Sequence, residues 1–295
     1  MLVSAVLERA REEIYEAGGV ARPQWDKQSG SLSDSSTALT VAGRLDDIPP
    51  DSLLEWEDDS LEMADVYETV GAAVTHQTRG YLGTTAASHN ANTRIWVDPP
   101  YSRYVLLNGL KAVIGQLRRY GLYVRTYTEA LTLATSAPVE LPTGAIDVIS
   151  VLYQNGTQWF PLEKGSGYRV FYNYTAVNSA PALQFFSGIS GADLKVVYKT
   201  DFDTDPFAIT TDLDTVGVPT ELQSSLSLGL AGWILQGRDV PLLESEHIQP
   251  DPQNPQQLGS RSAVGNQLWR AFEQGIYTEK VKLHEQHPIQ IVQGS

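Results

Sequence analysis

The sequence predicts an α+β protein: a helical bundle of about four helices, a small β unit, and a larger antiparallel β insertion of sandwich or barrel type. Three observations lead there. Apolar residues repeat at helical spacing over residues 2–17, 101–120, 219–237 and 260–284. Over residues 37–98, short runs of strand formers alternate with Gly, Pro and Asp turns. Over residues 122–203, turns recur at about ten-residue spacing, as in antiparallel sandwiches and barrels.

The first helix carries Val3, Leu7, Ala10 and Ile14 on one stripe, widened by Val6, and Gly18-Gly19 stops it. Residues 20–36 read as a loop, serine-rich in their second half. Strands follow at 37–41 and 52–57. The stretch 63–101 then reads as strand, turn, strand, a polar loop, and a short strand (Ile95-Trp96-Val97) that proline ends. Ser102 is placed to cap the second helix. Val105 (or Leu106), Leu110, Val113, Ile114 and Leu117 form its apolar face, Arg118 and Arg119 suit its C-terminal dipole, and Gly121 ends it.

In the larger β unit, Asn155-Gly156 is a hairpin signal, and strands are expected around 124–127, 146–152, 158–162, 168–174, 182–186 and 194–198. The third helix places Leu222, Leu226, Leu230, Trp233 and Ile234 on one face. Gly229 and Gly232 lower its helix propensity, which points to close approach by another element. Residues 238–259 read as irregular, with four prolines. The fourth helix stacks Val264, Leu268, Phe272 and Ile276. The domains expected are a helical part at 1–36 and 99–121, a small β unit at 37–98, a β-rich insertion at 122–210, a helical pair at 218–286 and an extended tail at 287–295.

The chain has 295 residues, 42% hydrophobic, without cysteine, so a disulfide scaffold and a thiolate metal site are excluded. Its net charge is −14, with basic residues scattered rather than clustered. That balance argues against gripping nucleic-acid phosphates. It fits either simple solubility or a surface that lets DNA pass. The N-terminal segment is neither a signal peptide nor a membrane span, and no membrane partner is expected.

No catalytic constellation emerges, and the expectation is a non-enzyme without metal or cofactor. Asp201, Asp203 and Asp205, with Asp212, resemble the start of a calcium loop, but Pro206 stands where such loops need glycine and the last position is not glutamate. His284 and His287 lack the further ligands of a zinc site. No phosphate loop, dinucleotide fingerprint or nucleophile elbow occurs. Asp46-Asp47 and Asp58-Asp59 sit in turns without apolar surroundings that would raise a pKa. Sequons at residues 155–157 and 173–175 have no sign of secretion beside them. The aromatic residues of the larger β unit (Tyr153, Phe160, Tyr168, Phe171, Tyr172, Tyr174, Phe185, Phe186) suit core packing or a sugar platform.

One stretch carries a resemblance. Arg79-Gly80-Tyr81-Leu82-Gly83-Thr84-Thr85-Ala86-Ala87-Ser88-His89 is similar to the R-G-x-x-G-T-x-A-x-x-H run of head–tail connector (adaptor) proteins of tailed bacteriophages. There too a strand precedes it, and a short strand, a proline and a helix follow. The similarity covers residues 1–120 best. It implies a homo-oligomeric ring, typically dodecameric, in the virion neck between the portal protein and a downstream neck or tail protein. Double-stranded DNA would pass through its lumen, and the chain would be made in the host cytoplasm. It further implies that Pro288, Ile289, Gln290, Ile291 and Val292 engage the portal. Arg79, Gly80, Gly83, Thr84 and His89 are assigned to a turn that touches the next subunit. A stopper or terminator ring, or a carbohydrate-binding virion protein using the aromatic β unit, remains the alternative.

Overall fold

Helix α1 (Val3–Glu16) begins against a crossing segment that supplies what its own first turn lacks. The leading N–H groups of a helix have no intrahelical acceptor. Here the amides of Val3 and Ser4 donate to the carbonyls of Thr211 and Ile209, each at 2.9 Å. The computed structural model describes residues 1–43, 48–132, 138–172, 180–186, 193–204, 207–237 and 256–286. It divides into two units: Met1–Ile114 with Pro206–Thr215 and Pro219–Ser295, and Gly115–Asp205 with Val216–Val218.

The first unit holds a six-stranded antiparallel sheet. Its strands are β1 (Gln24–Lys27), β2 (Ala38–Thr40), β3 (Leu53–Trp56), β4 (Met63–Val70), β5 (Ala73–Arg79) and β6 (Arg94–Val97), in the order β1-β6-β3-β4-β5-β2. The sheet curls until its edges meet. Gln28 and Val41 form a bridge, Ala42 N–H donates to Lys27 O at 2.7 Å, and Ser29 N–H to Thr40 O at 2.8 Å. Alternate residues of every strand therefore point to one inside, filled by Leu32, Leu39, Val41, Ile48, Leu54, Trp56, Ala64, Val66, Val74, Ile95 and Val97. β1 lies where the composition reads as loop. Four residues with only Trp25 as a strand former give too weak a signal, and pairing with β6 supplies the order.

The longer helices of this unit gather on one buried element. The first is α2 (Arg103–Leu117), whose last turn from Gly115 belongs to the second unit. Ser102 caps it as expected, its Oγ accepting from Val105 N–H at 3.2 Å. A short α3 (Leu213–Val216) follows. The single helix expected over 219–237 is two, α4 (Thr220–Gln223) and α5 (Leu226–Leu235), and α6 (Gln256–Gln286) begins inside the stretch that reads as irregular. The last proline of that stretch is Pro255, and of residues 256–259 only Gly259 opposes helix, at a far smaller cost than proline.

All of α5 except Leu228 is buried, so it is apolar on every side rather than amphipathic. α1 and α6 pack against it, and Gly109 of α2 faces its Leu230 and Ile234. Its glycines permit close approach: a Cβ on Gly232 would lie 2.8 Å from Trp269 N and 2.9 Å from Gly265 O, and one on Gly229 would strike the Phe272 ring. Among the described residues there are four helices longer than four residues, α1, α2, α5 and α6. No described helix is long and apolar enough to cross a membrane.

The described strand pairs of the second unit are all antiparallel. Strands β7 (Val124–Thr132), β8 (Val139–Glu140), β9 (Ala145–Asn155), β10 (Gln158–Leu162), β11 (Tyr168–Phe171), β12 (Ala182–Phe185) and β13 (Asp193–Thr200) form two sheets, β10-β9-β13-β7 and β11-β12-β8. Asn155 pairs with Gln158 across the expected hairpin. Leu141, Ala145, Val148, Val151, Tyr168, Leu183, Leu194, Val196 and Tyr198 form one core drawn from both sheets.

Two substitutions of opposite sign test the close approach. Gly232→Ala meets backbone that cannot swing aside and should lower stability by about 1–3 kcal/mol. Gly115→Ala, where a Cβ meets nothing within 4 Å, should raise it by about 0.5–1 kcal/mol through helix propensity. Urea unfolding of both variants reads the difference.

Candidate functional site

The residues that carry the resemblance converge on one buried carboxylate. Glu62 lies in the turn between β3 and β4 and is fully buried. Arg79, the last residue of β5, grips it with both branches of its guanidinium: Nε donates to Oε1 and Nη2 to Oε2, each at 2.7 Å. Ala87 N–H donates to Oε2 at 2.6 Å, and His89 Nε2 reaches the same oxygen at 2.9 Å. The other His89 nitrogen, Nδ1, meets Asp58 Oδ2 at 2.5 Å. The imidazole lies flat on Trp56, centroids 4.4 Å apart and planes within 2°, and the Arg79 guanidinium sits 5.6 Å from the same indole.

Local chain geometry aims these groups. Directly after β5, Gly80 takes φ 68°, and a Cβ there would lie 2.8 Å from Thr84 O, so only glycine fits. A single 3-10 turn (Tyr81–Gly83) follows, with Gly83 at φ 82°. Thr84 closes it: its hydroxyl donates to Tyr81 O at 2.8 Å and accepts from Met63 N–H at 3.1 Å. The loop then returns so that Arg79 Nη2 reaches Ala87 O at 2.5 Å and Nη1 reaches Ser33 O. His89 exchanges backbone hydrogen bonds with Leu32 at 2.8 and 2.9 Å. Gln28 locks the floor, accepting from Trp56 Nε1–H at 2.8 Å while its amide donates to Gly30 O.

The charges balance: Arg79 and His89 against Asp58 and Glu62. Burial alone would push both carboxyls up, but hydrogen bonds from His89, together with Ser60 for Asp58 and with Arg79 and Ala87 for Glu62, outweigh it. Asp58 falls to about 2 and Glu62 below its ordinary value. Burial disfavours the His89 imidazolium, yet its bonds to Asp58 and Glu62 raise its pKa. Arg79, Gly80, Gly83, Thr84 and His89 thus have their geometry within the chain itself, and the cluster works as a clasp that fastens the motif loop to the curled sheet. Asp58, Glu62, Trp56 and Gln28 complete it, and of the four only Asp58, in the pair Asp58-Asp59, stands out in the sequence. The only local signal is Asp58-Asp59-Ser60, an Asx turn in which Asp58 Oδ1 accepts from Ser60 N–H at 2.9 Å.

A second buried pair joins the helices to the sheet. Arg11 on α1 donates to Glu55 on β3 at 3.0 Å, and Glu55 also accepts the Arg103 N–H that opens α2, at 3.0 Å. Burial pushes the Glu55 carboxyl up despite Arg11. The Arg103 side chain reaches Glu8 at 2.8 Å and Asp58 O at 3.0 Å, so helices and clasp share one polar seam.

Other candidates from the sequence disperse. Asp201 is paired with Arg118 at 2.7 Å. Asp205 is outside the described residues, as are the sequon at 173–175, His287 and the expected portal segment Pro288, Ile289, Gln290, Ile291 and Val292. Among the described residues no group of three or more His, Cys, Asp or Glu is placed to hold a metal ion. Of the aromatic residues of the second unit, Tyr168 is buried and packs beside Phe185, whereas Phe160, Tyr172 and Phe186 are exposed, as is Tyr127.

No family model matches the chain, and no curated protein matches it. Among solved structures, it is similar to a chain of the virion of a native gene transfer agent particle, at 12% identity and a TM-score of 0.23, over 55% of this chain and 76% of that one. It is also similar to a chain of the neck of an empty gene transfer agent particle computed with C6 symmetry, at 14% identity and a TM-score of 0.22, over 47% and 72%. Scores of that size carry no argument about fold or function.

Replacing Glu62 by Gln leaves two buried cations facing a neutral amide. The variant should lose about 3–5 kcal/mol of stability, the cost of breaking a buried pair from one side. Chemical unfolding measures it, and a loss within error would mean that the clasp holds nothing.

Proposed function

We propose that this protein is a head-to-tail adaptor of a tailed, phage-like particle: a structural ring in the neck through which DNA passes. The observation that carries the reading is the clasp. In the resemblance-bearing run, Arg79, Gly80, Thr84 and His89 each have a separate mechanical task in one interlocked unit, and Gly83 turns the chain between them. A shared run whose members depend on one another is harder to reach by chance than a shared composition.

The charge distribution supports the same reading. The first unit holds 27 Asp and Glu against 14 Lys and Arg, the second 8 against 7. A net negative charge of that size repels phosphates and suits a channel that must not retain DNA. In this reading the helices around α5 form a bundle that builds the ring wall, the loop displayed by the clasp touches the next copy, and residues 288–292 bind the portal. The portal, a downstream neck or tail protein and passing DNA are the partners, and no catalysis or cofactor is involved. One observation favours a carbohydrate-binding role instead: the exposed aromatic side chains Tyr127, Phe160, Tyr172 and Phe186 on the second unit.

Native mass measurement and negative-stain imaging of the purified chain, alone and with portal rings, separate the two. Closed rings are expected, together with loss of portal binding when residues 287–295 are deleted. A monomer or trimer that binds glycans would overturn the adaptor reading.

A further inference from the structure

Two histidines stand in opposite situations around the indole of the clasp. His89 stacks on Trp56, and His76 of β5 meets the same ring edge-on, at 5.7 Å and 62°. Both ring nitrogens of His89 face carboxylate oxygens, Asp58 on one side and Glu62 on the other. A carboxylate can only accept, so the geometry is satisfied when both nitrogens carry hydrogen. Neutral His89 would turn a lone pair toward one of the two anions. His76 is buried, and neither of its nitrogens has a partner among the described residues. The charged groups around it are Arg79, His89 and Glu62, and Glu62 is already engaged by both cations. A proton on His76 would bring a third cation to a cluster with two anions.

We propose that His76 and His89 form a two-sided proton latch on the motif loop: it is shut with His89 charged and His76 neutral, and either proton change loosens the loop at residues 81–92. This latch stands on the clasp geometry alone and holds whether or not the chain forms rings.

The signs follow for each group. His89 has a raised pKa in the folded chain, so its contribution is complete below the ordinary histidine value of about 6.5 and is lost as pH rises through the raised one. Burial, with the positive charge of Arg79 beside it, pushes His76 down to about 4. The unfolded chain therefore takes up this proton first, and stability falls as pH drops from about 6.5 toward about 4. The two slopes oppose each other, so the loop is held most firmly near the ordinary histidine value. Asp58 and Glu62 add their own loss only at lower pH.

Hydrogen exchange of the full-length chain tests this, read as protection factors for the amides of Ala87 and His89, which donate to Glu62 and Leu32. Protection should peak near pH 6.5 and fall on both sides, by up to about tenfold per pH unit. His76→Leu should flatten the acid limb between pH 4 and 6.5 and leave the alkaline limb. His89→Gln should lower protection and flatten the alkaline limb. An acid limb unchanged in H76L, or an alkaline limb unchanged in H89Q, overturns the proposal. Should a variant fail to fold, the wild-type profile decides alone: protection flat from pH 5 to 9 overturns it.

Discussion

The buried carboxylate of Glu62 is the constraint on which the first unit depends. An isolated anion with no access to water is strongly disfavoured, and it persists because donors from three places meet it: Arg79 at the end of β5, the Ala87 amide in the following loop, and His89 beyond that. Each donor is a point where chain distant in sequence is tied to the β3–β4 turn. The bidentate Arg79 contact fixes direction as well as distance, because the guanidinium fork and the carboxylate are both planar. From that anchor the curled sheet inherits a closed end. The loop covers Trp56, and Trp56 fills the core with its indole N–H satisfied by Gln28.

A second seam extends the same logic to the helices. Glu55 occupies the outer face of β3, next to Trp56 in sequence but on the opposite side of the pleat. It takes Arg11 from α1 and the opening amide of α2, so one carboxylate sets the position of two helices against the sheet. Arg103 then returns to the backbone carbonyl of Asp58, itself a member of the clasp. Helix packing over α5 is by contrast apolar, and it is the absence of a Cβ at Gly229 and Gly232 that sets how near α6 can come. Polar groups thus give the first unit its register, and burial of apolar surface gives it most of its cohesion.

Periodicity was a dependable guide wherever one face of an element is buried. The stripe of α1, the β4–β5 hairpin, the cap at Ser102 and the turn at Asn155-Gly156 all stand where the local sequence puts them. It failed where order comes from a partner. β1 is a strand because β6 offers it a ladder, and β8 because β12 does. The helix over 219–237 divides near Ser224-Ser225, where hydroxyls bond back to the carbonyls of Glu221 and Leu222 and compete with the helical ladder.

Local rules acting on neighbouring residues were enough to determine the types of most of the longer elements, the mixed fold class, the acidic character and the unusual turn at Gly80, because each depends on residues close together in the chain. The clasp is another matter. Arg79 and His89 were visible as members of a run, but the sequence shows neither that they face inward nor that Glu62, Asp58, Trp56 and Gln28 wait for them. Those partners lie 17 to 61 residues from the groups they bind. Only the curl of the sheet brings them within hydrogen-bond reach, and only burial turns ordinary acidic and basic side chains into a set that must be complete to be stable. The run at residues 79–89 therefore carries half of an interaction in its sequence, and the tertiary structure supplies the other half.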